Sequence, residues 1–353
     1  MNNKYLSTVA IAATILLPSC QGGNTEPEAE VFYKGADIGW YTQYEHEGKK
    51  FFNAAGEERE CNALMKELGL NAVRHRVWVD PVAHGNWCSA QDLLKKCLDA
   101  KANGLEIMVD FHYSDWWADP GKQITPKAWK EHDLEKLKVD VANHTTEVMQ
   151  LLKDNDIYPK WVQIGNETTP GMLWPIGRAK PDSCQNYAQL ITAGYDALKK
   201  VFPNTIAIVH LDNGWKEELY DWNIGGIVAN GGKFDMIGMS LYPYWAHQSD
   251  STLTSEEVIS RCIANVRRVG EMYNCPVMIT EVGFEVDESR PEILDKGRRE
   301  LEWVLRAAKD STDGICKGVF YWEPECRPSQ YRLGAFTEDG KPTVIMDAWK
   351  AVE

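Results

Sequence analysis

With 353 residues, 44% of them hydrophobic, the chain can bury one barrel-sized core or two smaller ones, which excludes disorder as a description of the whole. Its 38 lysines and arginines are outnumbered by 52 acids, and the net charge of −14 repels phosphate backbones, so nucleic acid is excluded as a partner and a neutral ligand fits better. Fourteen tryptophans are many for this length. Ordinary burial accounts for about half of such rings, and the rest offer flat faces that stack on the apolar faces of sugars.

The first 20 residues, MNNKYLSTVAIAATILLPSC, combine a short basic start, an apolar stretch too short to span a bilayer and small residues before a cysteine, which reads as an export signal. Leu17-Pro18-Ser19-Cys20 resembles the lipobox of bacterial lipoproteins, which implies that Cys20 becomes the lipidated first residue of the mature chain; an ordinary cleaved signal is the alternative. Residues 21–34 open on a polar, acidic run without periodicity and read as a flexible tether. An exported lipoprotein of the cell envelope is expected, at the outer membrane or cell surface, monomeric and touching the membrane only through Cys20. The remaining cysteines, Cys61, Cys88, Cys97, Cys184, Cys262, Cys275, Cys316 and Cys326, sit in helix-face and strand-start contexts that suggest buried thiols, and their spacing selects no pairing. No CxxC pair or Cys/His cluster points to a metal.

From residue 35 to 353 short apolar runs alternate with longer stretches of helical periodicity. Strands are predicted at 35–40, 71–79, 105–111, 161–165, 205–210, 234–240, 277–280 and 318–322, and helices at 57–68, 90–103, 134–154, 184–201, 255–273 and 291–309. Ser289, Pro291 and Glu292 form a capping-box start, and Gly69 and Gly104 fall where a helix must stop. The connection 214–233 carries only a short helix between loops, and 344–352 is a closing helix. Eight strand–helix repeats in one domain predict a (β/α)8 TIM barrel, with a doubly wound open sheet sharing the alternation.

The polar residues decide between them, because they fall at the carboxyl ends of the strands. In order these ends offer Asp37 and Trp40; Arg74, Arg76 and Trp78; Asp110, His112, Asp115, Trp116 and Trp117; Asn166 and Glu167; His210, Asp212 and Asn213; Tyr242, Tyr244 and Trp245; Glu281; and Trp322 and Glu323. A barrel gathers all eight ends into one cleft, whereas an open sheet leaves half of them along an edge. After the first strand, GADIGW lacks the GxGxxG order of a nucleotide loop.

Two apolar strands ending in a glutamate, WVQIGNE at 161–167 and VMITE at 277–281, are the minimum equipment for cutting a glycosidic bond. One carboxyl must protonate the leaving oxygen while the other stabilises the oxocarbenium-like carbon, and retaining enzymes hold the two about 5–5.5 Å apart. Glu167 is assigned as acid then base and Glu281 as nucleophile, their strands lying on opposite sides of the barrel mouth. Asn166 is placed to donate to the sugar 2-hydroxyl. Arg74, projecting from a strand interior, is expected to hold one of the two glutamates ionised or to form a structural ion pair. His112 is a candidate for a hydrogen bond to a sugar hydroxyl or a catalytic acid. Asp115, His210 and Tyr242 join the candidate binding residues, with Trp322 as floor of the cleaved ring's site and Trp116, Trp117, Trp174 and Trp245 as walls of its neighbours.

The stretches DFHYSDWWADPGKQ at 110–123, QIGNETTPGMLWP at 163–175, YPYW at 242–245 and YWEP at 321–324 resemble glycoside hydrolase family 53, the endo-β-1,4-galactanases, and the resemblance runs from about residue 35 to the end. It implies a retaining mechanism on the β-1,4-galactan of pectic type I arabinogalactan, with Glu167 as acid/base and Glu281 as nucleophile. The chain departs from the family pattern at Gly39-Trp40, at Trp116 within SDxWADP and at Leu241, which should alter subsites rather than the reaction. Some family members are similar in binding calcium in long loops after the last strands; the short loop from Glu285 to Arg290 argues against that site here, and no cofactor is expected. Without the SDxWADPG motif the strand-end glutamates would serve a mannanase or glucanase equally well. A non-catalytic glycan-binding lipoprotein would need the aromatics but not the paired acids.

Overall fold

The computed structural model describes residues 31–352, so the stretch read as an export signal, Cys20 and most of the stretch read as a tether lie outside the described residues. The chain runs β1 (Tyr33–Asp37), α1 (Tyr41–His46), β2 (Phe51–Phe52), β3 (Glu58–Arg59), α2 (Cys61–Glu67), β4 (Ala72–Val77), α3 (Ala90–Ala102), β5 (Glu106–Phe111), α4 (Leu134–Asp154) and β6 (Trp161–Ile164). It continues through α5 (Gln185–Val201), β7 (Ile206–Leu211), α6 (Glu217–Ala229), β8 (Met236–Leu241), α7 (Pro243–Ser249), α8 (Ser255–Tyr273), β9 (Val277–Val282), α9 (Pro291–Asp310) and β10 (Cys316–Trp322). Eight of these strands close a parallel barrel in the order β1-β10-β9-β8-β7-β6-β5-β4, the predicted fold, while β2 and β3 form a separate hairpin.

Two boundaries and one cap differ from expectation. β1 begins at Tyr33, inside the stretch read as tether, because the Tyr33 ring meets Trp161 edge-on, 4.5 Å between centroids, at the base of the barrel. The helix expected over 57–68 starts only at Cys61: Glu60 caps it, its side chain accepting from the backbone of Asn62 and Ala63, and residues 58–59 pair in the hairpin instead. Ser289 does not cap α9. Its hydroxyl bonds to Asp287 Oδ1 at 2.6 Å, and Arg290 occupies the cap position without a side-chain bond. By contrast Gly69 and Gly104 end their helices with φ of 97° and 65°, as the sequence suggests. The segment 344–352 closes as a short 3-10 helix, Val344–Trp349.

Helix stripes explain the outer layer. In α8 the buried residues Val258, Ile259, Cys262, Ile263, Val266 and Val269 recur every three or four positions, and Thr254 Oγ1 caps its start by accepting from the Glu257 amide at 3.1 Å. All eight described cysteines are free thiols, seven of them buried, so they serve as small apolar fillers.

Inside the barrel, alternate residues of each strand face the axis. The lowest layer is apolar: Ala72, Met108, Trp161, Ile208, Met236, Met278 and Phe320 form a buried cluster of their own. Two residues further along, the same faces carry Arg74, Asp110, Gln163 and His210, all buried. The polar content therefore rises toward the carboxyl ends, where an apolar plug beneath makes any charge expensive unless it is paired. β9 breaks the alternation. Met239 pairs with Ile279 but Ser240 with Glu281, so β9 holds one residue more than β8 there, while against β10 the register shifts between Cys316 and Val319 and again between Val319 and Tyr321. This bulge turns Glu281 inward next to Ser240, where strict alternation from Met278 would have sent it to the helical shell.

Candidate active site

Arg74 organises the barrel mouth. Its Nε donates to Gln163 Oε1 at 3.0 Å, one terminal nitrogen to Asp37 and to Glu281 Oε1 at 2.9 Å, and the other to Asp110 Oδ2 at 2.9 Å and Asn166 Oδ1 at 2.8 Å. The five N–H groups of a guanidinium thus meet five acceptors from β1, β5, β6, the β6 end and β9. Because Arg74 is fully buried and its donors are all used, it positions the acids and does not itself reach a ligand, correcting its expected place among the substrate contacts.

Glu281 is held from both sides, with Oε2 accepting from the Tyr242 hydroxyl at 2.7 Å. Burial raises its carboxyl above the usual range, and Arg74 and Tyr242 act against that rise. Glu167 lies opposite. Burial, then the charges of Glu281 and Asp212, hold its carboxyl well above the usual range, with the Ser240 hydroxyl, 2.6 Å from Oε1, opposing them. Of two neighbouring acids the one beside a cation ionises first, which sets Glu281 toward the carboxylate form and Glu167 toward the protonated one. Glu167 also sits at φ 45°, a left-handed conformation unusual for a side chain of its size, which swings the carboxyl off the strand end into the cleft.

Both glutamates line a cleft of about 320 Å³ together with Asn166, Trp117, Tyr242, Trp245, Trp322 and Tyr331. Asn166 gives one N–H to the Ala118 carbonyl at 2.8 Å, which leaves the second for a hydroxyl of a ligand. A larger cavity, about 640 Å³ between α7, α8 and α9, contains neither carboxyl.

Four other expected contacts fall elsewhere. His112 is buried with both ring nitrogens used, Nδ1 accepting from the Ala118 amide at 3.0 Å and Nε2 bonded to Asp110 at 3.0 Å, so it braces Asp110 and the following loop. Together with Arg74 it keeps Asp110 below the usual carboxylate range although burial opposes this. His210 is buried behind Glu167 and makes no face of the cleft. Asp115 ties two loops, accepting from the amides of Asp80 at 3.2 Å and Lys127 at 2.8 Å. Trp116 stacks on His84 with centroids 3.6 Å apart and borders a separate pocket with Trp174.

Sequence reasoning missed Ser240, Gln163, Lys122 and Tyr331. The first two occupy inward positions that strand alternation could have marked. Lys122 and Tyr331 come from loops, where no periodicity exists to mark them.

The aromatic wall rests on a second buried pair. Trp40, Trp117 and Trp322 meet one another at 5.8, 5.8 and 5.9 Å, and the Arg76 guanidinium lies 4.2 Å from the Trp117 ring centre while pairing with Glu323. Gly39 permits this, since a Cβ there would stand 2.1 Å from an Arg76 nitrogen. Glu323 accepts from the amides of Gly39 and Trp40, and Glu325 accepts from Trp40 at 3.2 Å. Burial, then the Glu323 charge, push the Glu325 carboxyl well above the usual range. An unfolded glutamate ionises near 4.5, so the stability from keeping Glu325 protonated is complete below that pH and is lost as pH rises toward the folded value. Glu325→Gln should therefore melt a few degrees above the wild type at about pH 8 and equally with it at about pH 4. Thermal melts showing no such divergence would mean that Glu325 is ionised in the fold.

The short loop after β9 pairs its own acids. Arg290 Nε donates to Asp287 Oδ2 at 2.5 Å and its terminal nitrogen stands 3.8 Å from Glu285, while Ser289 fills Asp287 Oδ1. The acids are neutralised by an arginine of the same loop, and the set does not fit a divalent cation.

An eight-stranded parallel barrel that joins a cation-paired carboxylate and a protonated carboxyl in an aromatic-walled cleft defines a glycoside hydrolase. The family model for glycosyl hydrolase family 53 matches residues 33–347, and the chain belongs to that family. An arabinogalactan endo-beta-1,4-galactanase A from Aspergillus niger is 32% identical over 314 residues, covering 84% of this chain and 86% of the relative. An uncharacterized protein from the bgaB 5' region of Niallia circulans is 31% identical over 329 residues, covering 85% and 86%. Among solved structures, one of two fungal beta-1,4-galactanases superposes with a TM-score of 0.82 at 26% identity, covering 91% of this chain and 99% of the other.

Proposed function

We propose that the chain hydrolyses internal β-1,4 linkages of the galactan in type I arabinogalactan, with retention, by double displacement between two glutamates. The observation that carries the chemistry is the asymmetric pair: Glu281 charged against Arg74 and Tyr242, Glu167 protonated across the same cleft. In the first step Glu281 attacks the anomeric carbon as Glu167 gives its proton to the departing oxygen. In the second, Glu167 takes a proton from water, whose oxygen displaces Glu281. Asn166 is placed to bond the 2-hydroxyl, and Trp117 and Trp322 to stack on sugar rings. The galactan specificity rests on the activity named for the Aspergillus relative and on the SDxWADPG motif.

Parallel digestion of galactan, mannan and glucan tests the reading. Oligosaccharides released early from galactan alone, initially as the β-anomer, are expected; release from mannan or glucan instead would replace the substrate, and tight binding without release would replace the enzyme. The basic, apolar, cysteine-terminated leader supports export and a lipid anchor at Cys20 in the cell envelope of a monomeric enzyme. Detergent-phase partitioning that survives Cys20→Ser would refute the anchor.

A further inference from the structure

His210, fully buried at the end of β7, holds the Glu167 residue by both of its ends. The Glu167 backbone N–H donates to His210 Nδ1 at 3.3 Å, and Gln163 Nε2 lies 2.9 Å from the same nitrogen. Asn166 Oδ1 stands 3.1 Å from it as well but already accepts from Arg74 at 2.8 Å, whereas the backbone amide and the Gln163 nitrogen can only donate, so Nδ1 is an acceptor and the ring proton sits on Nε2. Nε2 is 2.8 Å from Ser240 Oγ, and that contact fills the hydroxyl's acceptor side. The Ser240 proton is therefore turned to Glu167 Oε1, 2.6 Å away. Burial, then the charge of Arg74, keep His210 neutral, so the tautomer persists across the working pH range.

We infer that Ser240, oriented by His210, is a positioning residue that fixes the Glu167 carboxyl with Oε2 toward the glycosidic oxygen and sets its ease of ionisation between the two half-reactions. The hydroxyl proton remains on Ser240 throughout. When Glu167 passes its own proton from Oε2 to the leaving oxygen, the Ser240 bond becomes charge-assisted and supports the carboxylate that must next accept a proton from water. Without it the acid holds its proton more tightly, and the base that follows is less well aimed. The other groups facing Glu167 are Glu281 from β9, Asp212 after β7, Asp119 and Lys122 from the loop after β5, Tyr220 from α6 and Tyr242 after β8. None of these is altered by substituting Ser240.

This inference rests on the proposed two-glutamate reaction, and its test separates the two. Ser240→Ala is compared with wild type by ¹³C NMR titration of the Glu167 carboxyl and by the pH dependence of galactan hydrolysis. The titration should move upward, the alkaline limb of kcat/KM should move with it, and kcat should fall by about 10- to 100-fold with KM nearly unchanged. Ser240→Thr, which keeps the hydroxyl, should restore both. An unmoved titration overturns the part given to Ser240. If wild type leaves galactan intact, the functional reading fails while the NMR comparison still decides whether Ser240 governs Glu167.

Discussion

Glu281→Ala should lower galactan hydrolysis by about 10⁴-fold or more while the barrel stays folded, because Arg74 keeps two buried acids, Asp37 and Asp110, as partners. Added azide should restore turnover by entering from the face the carboxylate left, giving a glycosyl azide of α configuration. Glu167→Ala should behave differently. Substrates whose leaving groups need no proton should still form the glycosyl-enzyme, and azide should then displace Glu281 to give the β-configured product. The two variants together assign the roles by stereochemistry rather than by rate alone. Activity of Glu281→Ala within about 100-fold of wild type, or the same anomer from both variants, would remove the nucleophile from Glu281.

Arg74→Met should cost about 3–5 kcal/mol of stability, read from urea denaturation, as well as activity. The substitution keeps most of the side-chain volume but leaves Asp37, Asp110 and Glu281 buried without their cation, and leaves Gln163 and Asn166 each short of a donor. Arg74→Lys should recover only part of the loss, since an ammonium offers three N–H groups where five acceptors wait. A loss below about 1 kcal/mol in the methionine variant would show that these acids take up protons and need no cation.

The barrel and its two glutamates were readable because both follow from local periodicity: an apolar run of strand length, then a helical stripe, then again. WVQIGNE and VMITE end in carboxylates on such runs, and the closed sheet brings the ends together. Contacts made across the barrel were not readable at the same level. His112 and His210 stand among sugar-binding residue types, yet each spends both ring nitrogens on protein partners, which depends on neighbours 2 to 47 residues away. Trp116, next to Trp117 in sequence, faces His84 instead of the cleft. Adjacent residues on an irregular loop carry no parity, so composition marked both rings and geometry kept one.

Parity also governs the nucleophile, through the residue by which β9 exceeds β8 between Met239 and Ser240. Glu281 stands three positions after the inward-facing Met278, an odd count that a regular strand would turn to the helices outside the sheet. The same letters in a strand without the irregularity would look competent in any comparison of residue types, yet would aim the acid away from the cleft. Scans that exchange one amino acid for another leave this dependence invisible, since no exchange changes the count; single-codon insertions and deletions between Met278 and Glu281 are the variation that exposes it. The reactivity of this enzyme is to that extent encoded in a spacing, and transplanting this stretch into another barrel means carrying the irregularity along with it.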